Sequence, residues 1–210
     1  MRHDFTGDWR DHYRSRLMDA EEAAGLVQSG DHIWIPPGHG APVILATLAA
    51  RTGEVTDVEI RGLGVPNGGL FSAEAAKSFH YQDQFGNAFS RPPLEDKIID
   101  YHPYWLVGGH KALDASRDEA WPIDNILITV SEPDDDGFVS AGCSIWDSIT
   151  TSRRAKRVIA AINPRTRHTY GETVLHVSEI DAFVPDDRPF APPVTPEHDA
   201  TDEASAGYVN

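Results

Sequence analysis

Apolar residues in this chain fall into two kinds of pattern: short runs of strand length, and stretches where they recur three and four positions apart. The run Asp31-His-Ile-Trp-Ile35 predicts a strand and ends in Pro36-Pro-Gly-His-Gly-Ala-Pro42. Beyond it Ile44, Leu45 and Leu48 fall on one helical stripe, Pro42 suits a first helical position, and Gly53 ends the helix. A strand that turns through glycines directly into a helix offers backbone N–H groups at the positive end of a helix dipole, where an oxyanion or phosphate can sit.

The same alternation continues on both sides. Asp19 and Glu22 are spaced as a capping box for a helix through Ala23, Ala24, Leu26 and Val27, with Gly30 as its stop. Val55–Arg61 reads as a second strand, followed by the loop Gly62-Leu-Gly-Val-Pro-Asn-Gly-Gly69 and a short helix at about Ala73–Phe79. Residues Phe85–Trp105, rich in aromatics and proline, predict irregular structure with one strand near Lys97–Ile99. Ile123–Val130 is the longest strand-like run, and it enters the loop Ser131–Gly137. A helix over Ser144–Lys156, a strand over Arg157–Ile162 and a last strand over Leu175–Val184 follow. Strands separated by crossover-length helices imply an α/β fold: an open, largely parallel sheet with helices on both faces.

Composition narrows the picture. At 210 residues and 40% hydrophobic content the chain can bury one sizeable core, expected over residues 1–190. Residues 191–210 hold three prolines, four acidic residues and no basic one, so they are expected to be disordered or laid along a partner. No apolar stretch of membrane-spanning length and no signal-peptide pattern occurs, so a soluble, cytoplasmic protein is expected. The formal charge of −15 opposes general binding of nucleic acid or anionic membranes, but a small anion needs only local donors. Two basic segments could supply them, Arg153-Arg-Ala-Lys-Arg157 and Asn163-Pro-Arg-Thr-Arg167; the first also reads as an ordinary solvated helix face.

Motif tests remove several chemistries. The loops at Gly38-His-Gly and Gly62-Leu-Gly lack the third glycine of the dinucleotide fingerprint, and no nucleoside triphosphate loop or Gly-x-Ser-x-Gly elbow occurs. Cys143 is the single cysteine, which excludes an intrachain disulfide and a cysteine zinc cluster, and it reads as a small apolar filler. Ten histidines form no His-x-x-x-His pair, so metal catalysis is disfavoured. What remains is a set of turns at the presumed carboxyl ends of strands, where open α/β sheets bind ligands: Gly38–Gly40, Ser131–Gly137 continuing through Ser140-Ala-Gly142, and Asn163–Arg167 with Tyr170-Gly171.

In order along the chain, these residues resemble the amino-terminal domain of the acetyl-CoA hydrolase/transferase family, which includes the 4-hydroxybutyrate CoA-transferases and belongs to the family I CoA-transferases. The resemblance runs from about residue 9 to residue 190. It is carried by Trp9 and Tyr13-Arg-Ser-Arg-Leu17, Ala20–Ala24, Ser29-Gly-Asp31, Gly38-His-Gly-Ala-Pro42, Phe85-Gly-Asn, Arg91 and Tyr101-His-Pro103. It continues in Val130–Phe138 with Ser140 and Gly142, Ala155–Ile159, Ile162-Asn-Pro-Arg-Thr166, Gly171 and His176–Asp181. Ser131-Glu132-Pro133 departs from it, because the family usually places proline directly after the serine.

The resemblance implies acyl-CoA thioesters as substrates, coenzyme A as the carried group, and no metal. It implies substrate- and CoA-binding positions at Gly38, His39, Gly40, Ala41, Ser131, Asp134, Gly137, Ser140, Gly142, Asn163, Arg165, Thr166 and Gly171, with His39 a candidate hydrogen-bond donor or base. The family's catalytic glutamate lies in a second, carboxy-terminal α/β half, and no residue here matches it. The expectation is therefore one subunit of a split CoA-transferase, paired as a heterodimer or α2β2 with a subunit that carries the glutamate. Hydrolysis of a thioester or of an activated carbon–carbon bond in a CoA-linked substrate, and a non-catalytic scaffolding subunit, are the alternatives.

Overall fold

The computed structural model describes residues 5–38, 40–62, 69–104, 120–142 and 146–190. Seven parallel strands form one sheet in the order β4-β3-β2-β1-β5-β7-β9. They are β1 (His32–Ile35), β2 (Val58–Gly62), β3 (Phe79–Asp83), β4 (Asp100–Tyr101), β5 (Asn125–Val130), β7 (Arg157–Ile162) and β9 (Ala182–Pro185). A two-stranded antiparallel ribbon of β6 (Phe138–Ser140) and β8 (Val174–His176) stands apart from it. The chain builds outward from β1 through β2, β3 and β4, then returns to lay β5, β7 and β9 on the other side. The strand order therefore reverses between β1 and β5.

Both faces of the sheet are covered. Ile33, Ile35, Ile60, Leu127 and Ile159 pack with Ala23 of α2 (Ala20–Gly25) and Ile44, Leu45 and Leu48 of α3 (Pro42–Ala50). On the opposite face Trp34, Ile126, Ile128, Val158 and Phe183 form a second cluster, against which Trp9 and Tyr13 of α1 (Trp9–Arg16) are packed. Central β5 and β7 are buried on both faces and read as nearly continuous apolar runs, whereas β2 and β3 alternate buried with half-buried or exposed residues.

The Asp19–Glu22 capping box forms: the Asp19 carboxylate accepts the Glu22 N–H at 2.7 Å, and the Glu22 carboxylate accepts the Asp19 N–H at 3.2 Å. That helix stops at Gly25, earlier than its apolar pattern suggests, and Gly30 with φ of 79° closes the following turn instead. The expected helix at Ala73–Phe79 shrinks to a 3-10 turn over Ala75–Lys77, because Phe79 already begins β3. Helix α4 (Arg91–Glu95) lies in the aromatic and proline-rich stretch. Ser144–Lys156 yields a helix, α5, only over Ser148–Ser152; Cys143 and Ser144 lie outside the described residues. Leu175–Val184 is two strands, not one. The His176 ring caps a 3-10 turn over Val177–Glu179 by accepting the Ser178 N–H, which divides β8 from β9. Helix α1 begins where the Asp8 carboxylate accepts the Arg10 N–H. Among the described residues no helix is long and apolar enough to cross a membrane. The 191–210 segment also lies outside them.

Candidate active site

A reversal of strand order leaves a crevice at the carboxyl ends of the two strands that flank it, because their connections leave in opposite directions. Here the loops at that point are the Pro36–Ala41 turn after β1 and Ser131–Gly137 after β5. Gly38 has φ of 76° and Ala41, the residue before α3, has φ of 33°. The glycine requirement of the turn thus sits at Gly38; Gly40 is not among the residues of positive φ, and His39 lies outside the described residues. Ala41 is fully buried, and its N–H donates to the hydroxyl of Thr129 on β5 at 3.2 Å. This bond ties the glycine turn to the neighbouring strand across the crevice.

The Ser131–Gly137 loop is closed by its own side chains. Asp134 accepts N–H groups from Asp136 at 3.0 Å and Phe138 at 2.8 Å, which is the turn chemistry of aspartate. Gly137 has φ of 84°, and a side chain there would meet Trp9. Buried Ser131 accepts the Ser140 N–H at 2.9 Å and donates its hydroxyl to the Glu132 carbonyl at 2.9 Å. His168 lies between this serine and Asp134, with Nδ1 3.3 Å from Ser131 Oγ and Nε2 3.6 Å from Asp134 Oδ2. These three residues follow one another as in a hydrolytic triad, but the serine proton already serves the Glu132 carbonyl. Here they join two loops.

The third loop follows β7. Asn163 accepts the Arg165 N–H at 2.9 Å through its side-chain oxygen and donates its amide to the Arg188 carbonyl at 2.9 Å. The Arg165 guanidinium donates to the Asp187 carbonyl, so both residues bind the segment after β9 to this loop. Buried Ser140 accepts N–H groups from Gly142 and Thr169, each at 3.0 Å, and its oxygen lies 2.9 Å from the Thr169 hydroxyl. Gly142, with φ of 65°, passes so close to Thr166 that a Cβ would lie 2.8 Å from its methyl group. Among the described residues the Thr166 hydroxyl is buried without a hydrogen-bond partner, and Gly171, with φ of 99°, has nothing within 4 Å of an added Cβ. The candidate residues on β1, β5 and β7 thus come to one edge of three adjacent strands. Ser131, Asp134, Ser140, Asn163 and Arg165 are engaged in shaping the loops.

The two basic segments separate. Arg153 pairs with Glu179 at 2.7 Å, Lys156 with Asp124 at 2.6 Å, and Arg157 donates to Asn125 Oδ1 at 2.7 Å and to the Leu26 carbonyl at 2.9 Å. Lys156 and Arg157 stand at the amino end of β7, away from the crevice. Burial pushes the Asp124 carboxyl up, but hydrogen bonds from Lys156 and His32 outweigh it and hold the group below its usual range. A groove of about 430 Å³ lies where α1 meets the loop after β5, lined by Trp9, Arg10, Tyr13, Arg14, Glu132 and Pro133. Burial, and secondarily the Glu132 charge, raise the Tyr13 phenol. Among the described residues no group of three or more His, Cys, Asp or Glu side chains is arranged to hold a metal ion.

Comparison with known proteins places this architecture. The model of the acetyl-CoA hydrolase/transferase N-terminal domain matches residues 1–195. The chain belongs to that family. It is 29% identical over 203 residues to a succinyl-CoA:cyclohexane-1-carboxylate CoA transferase of Geobacter metallireducens, covering 94% of this chain and 45% of that protein. The structure of RipA from Yersinia pestis shares the fold with a TM-score of 0.81 and 24% identity, over 92% of this chain and 47% of that one. The chain therefore spans about half the length of these relatives. The fold also matches the structure of a variant of the decarboxylase AibA/AibB, with a TM-score of 0.55 and 16% identity; there the match covers 81% of this chain and 82% of the neighbour.

Three residues that shape this edge of the family's fold escape a reading of the sequence. Thr129, His168 and Tyr81 reach their positions only through the register of β5 against β1, the folding back of the loop after β7, and the pairing of β3 with β2. For Tyr81 a signal existed in the alternation of Phe79-His-Tyr-Gln-Asp83.

Proposed function

We propose that this chain is one half of a CoA-transferase acting on acyl-CoA thioesters, completed by a second subunit that carries the nucleophilic glutamate. What carries the reading is that a chain matched over nearly its whole length to the first half of CoA-transferases gathers its glycine turn and two further loops at the β1–β5 crevice. The large exposed aromatics support a covered edge. Phe85, Tyr101, Tyr170 and Phe190 lie on segments that leave the carboxyl ends of β3, β4, β7 and β9. Apolar side chains gathered on the ligand-binding edge suit burial by a partner half.

In this reading the partner's glutamate attacks the acyl carbon of the thioester and expels the CoA thiolate, giving a mixed anhydride. The thiolate then attacks the glutamyl carbonyl, releasing the acid and leaving a glutamyl-CoA thioester. An acceptor carboxylate attacks this thioester to form a new anhydride, and the returning thiolate takes the acceptor's acyl group and frees the glutamate. The backbone of the Gly38–Gly40 turn, at the start of α3, supplies dipoles toward the oxyanion or another anionic group of the substrate. Gly142, Thr166 and Gly171 shape the neighbouring wall.

The test is co-expression with a chain carrying the second half, followed by a panel of acyl-CoA thioesters with and without carboxylate acceptors. Acceptor-dependent exchange of CoA is expected. CoA release without an acceptor would replace transfer by hydrolysis, and loss of carbon dioxide would point to carbon–carbon cleavage. A stable complex that turns over none of the panel would leave a scaffolding role.

A further inference from the structure

The groove of about 430 Å³ between α1 and the loop after β5 has a lining of two characters. Trp9 and Tyr13 lie four residues apart and so share one stripe of the helix, and Pro133 joins them from the loop; Arg10 and Arg14 form a parallel cationic stripe. Arg14 pairs with Asp11 at 2.9 Å, while the Arg10 guanidinium stands over the Trp9 ring, 4.3 Å from its centre. The Tyr13 phenol, kept protonated by burial and secondarily by the Glu132 charge, is a hydrogen-bond donor, as is the Trp9 indole. Aromatic rings that each carry one donor suit a segment in polyproline II form, whose backbone carbonyls have no internal partners.

The chain carries such a segment close by. Ala191-Pro-Pro-Val-Thr-Pro-Glu197 has prolines three apart at Pro193 and Pro196, Asp199, Asp202 and Glu203 follow it, and no Lys or Arg occurs from 191 to 210. These residues lie outside the described ones, but the place they start from is fixed. The Asn163 amide holds the Arg188 carbonyl at 2.9 Å, and the Asn163 backbone N–H donates at 2.9 Å to the carbonyl of Val130, two residues before Glu132 of the groove. From there seven residues in polyproline II form cover about 20 Å, more than the length of α1 at about 12 Å. With a formal charge of −15 most of the surface repels an acidic segment, whereas the arginines of α1 attract it. We propose that Ala191–Glu197 of the same chain lies in this groove, with its prolines against Trp9 and Tyr13 and Glu197 paired with Arg10. Glu132 sets the direction, because it repels the acidic residues from the loop end of the groove and leaves them to the helix. The segment then braces the loop after β5, one wall of the crevice, whichever reaction the site performs.

Nuclear magnetic resonance on the full chain tests this. The backbone amides of Val194 and Thr195 should show heteronuclear NOE values like those of the sheet. Arg10→Glu should lower the bound-to-free ratio of the segment about fivefold, the scale of a reversed surface ion pair, and adding Glu197→Lys to it should restore the ratio. Tyr13→Phe, which keeps the ring against Phe183 and removes the donor, should weaken docking in the same direction. Deleting residues 191–210 should move the Trp9 indole N–H resonance. Free-chain relaxation at Val194 and Thr195 in wild type would overturn the proposal, as would order that Arg10→Glu leaves unchanged or a Trp9 resonance that the deletion does not move. Order that grows with protein concentration would give the groove to the segment of a second copy and overturn the placement within one chain.

Discussion

The indole of Trp9 lies in the space that any side chain at Gly137 would need: an ideal Cβ on Gly137 would sit 2.7 Å from Trp9 Cγ and 2.8 Å from Cδ2. The contact joins the first helix to the loop after β5 across more than half the chain. Gly137 also has φ of 84°, so Gly137→Ala meets both backbone strain and an unyielding ring. A loss of roughly 2–4 kcal/mol in urea unfolding is expected. Gly171→Ala supplies the control, because that glycine has φ of 99° but nothing within 4 Å among the described residues, and should lose only about 1 kcal/mol. Equal losses in the two variants would mean that Trp9 yields.

Ser140→Ala separates a loop-shaping role from a substrate contact. The hydroxyl is fully buried and accepts the N–H groups of Gly142 and Thr169, so its removal strands two donors. Stability should fall by roughly 2–4 kcal/mol, about 1–3 for each unpaired group less what relaxation recovers. Hydrogen exchange at these two amides should quicken with it. Protection that persists at both would show that the Thr169 side chain takes over the acceptor's place.

The strand–helix alternation and the placing of the candidate turns at the carboxyl ends of strands were legible because they depend on local apolar runs: Arg157–Ile162 is read to the residue, and Pro42, Ile44, Leu45 and Leu48 all serve as expected. Strand β3 was not, because His80 and Gln82 on its more open face break the apolar run and the alanines before it favour helix. The division at His176 was equally hidden, since a histidine that caps a turn through its ring looks like one more residue of an alternating strand. The site's glycines announce turns, but only register reveals that Thr129 holds Ala41, that Tyr81 fills the Gly62 slot, and that the Arg153–Arg157 segment is drawn to pairings outside the crevice.

Acid should loosen the amino end of the sheet. Burial opposes the Asp124 charge, yet Lys156 at 2.6 Å and the His32 N–H at 2.9 Å hold the carboxyl below its ordinary value. A carboxyl lowered in the folded state contributes stability that is complete above its unfolded pKa, about 3.9, and is lost as pH falls through the folded value. Wild type should therefore exceed Asp124→Asn by roughly 1–2 kcal/mol at pH 7, with the two curves converging below about pH 3. A gap that stays constant to acid would assign the difference to packing of the side chain.

The glycine turn gives the most direct test of where the chemistry sits. Gly38, with φ of 76°, should lose about 1 kcal/mol of stability on change to alanine, whatever its part in the reaction. Gly40 differs: its φ is not positive, and among the described residues an added Cβ would meet only Pro42, at 3.4 Å from Cδ. Gly40→Val should therefore fold and assemble much as wild type does. If the turn faces the thioester, the valine methyls obstruct the approach of the acyl group, and kcat/KM should fall by about 10²-fold or more, the scale of a disturbed oxyanion contact. Activity and assembly measured on the same preparation make the result decisive. Full turnover with a valine at that position would move the reacting carbonyl away from this turn and place it against the loops after β5 and β7.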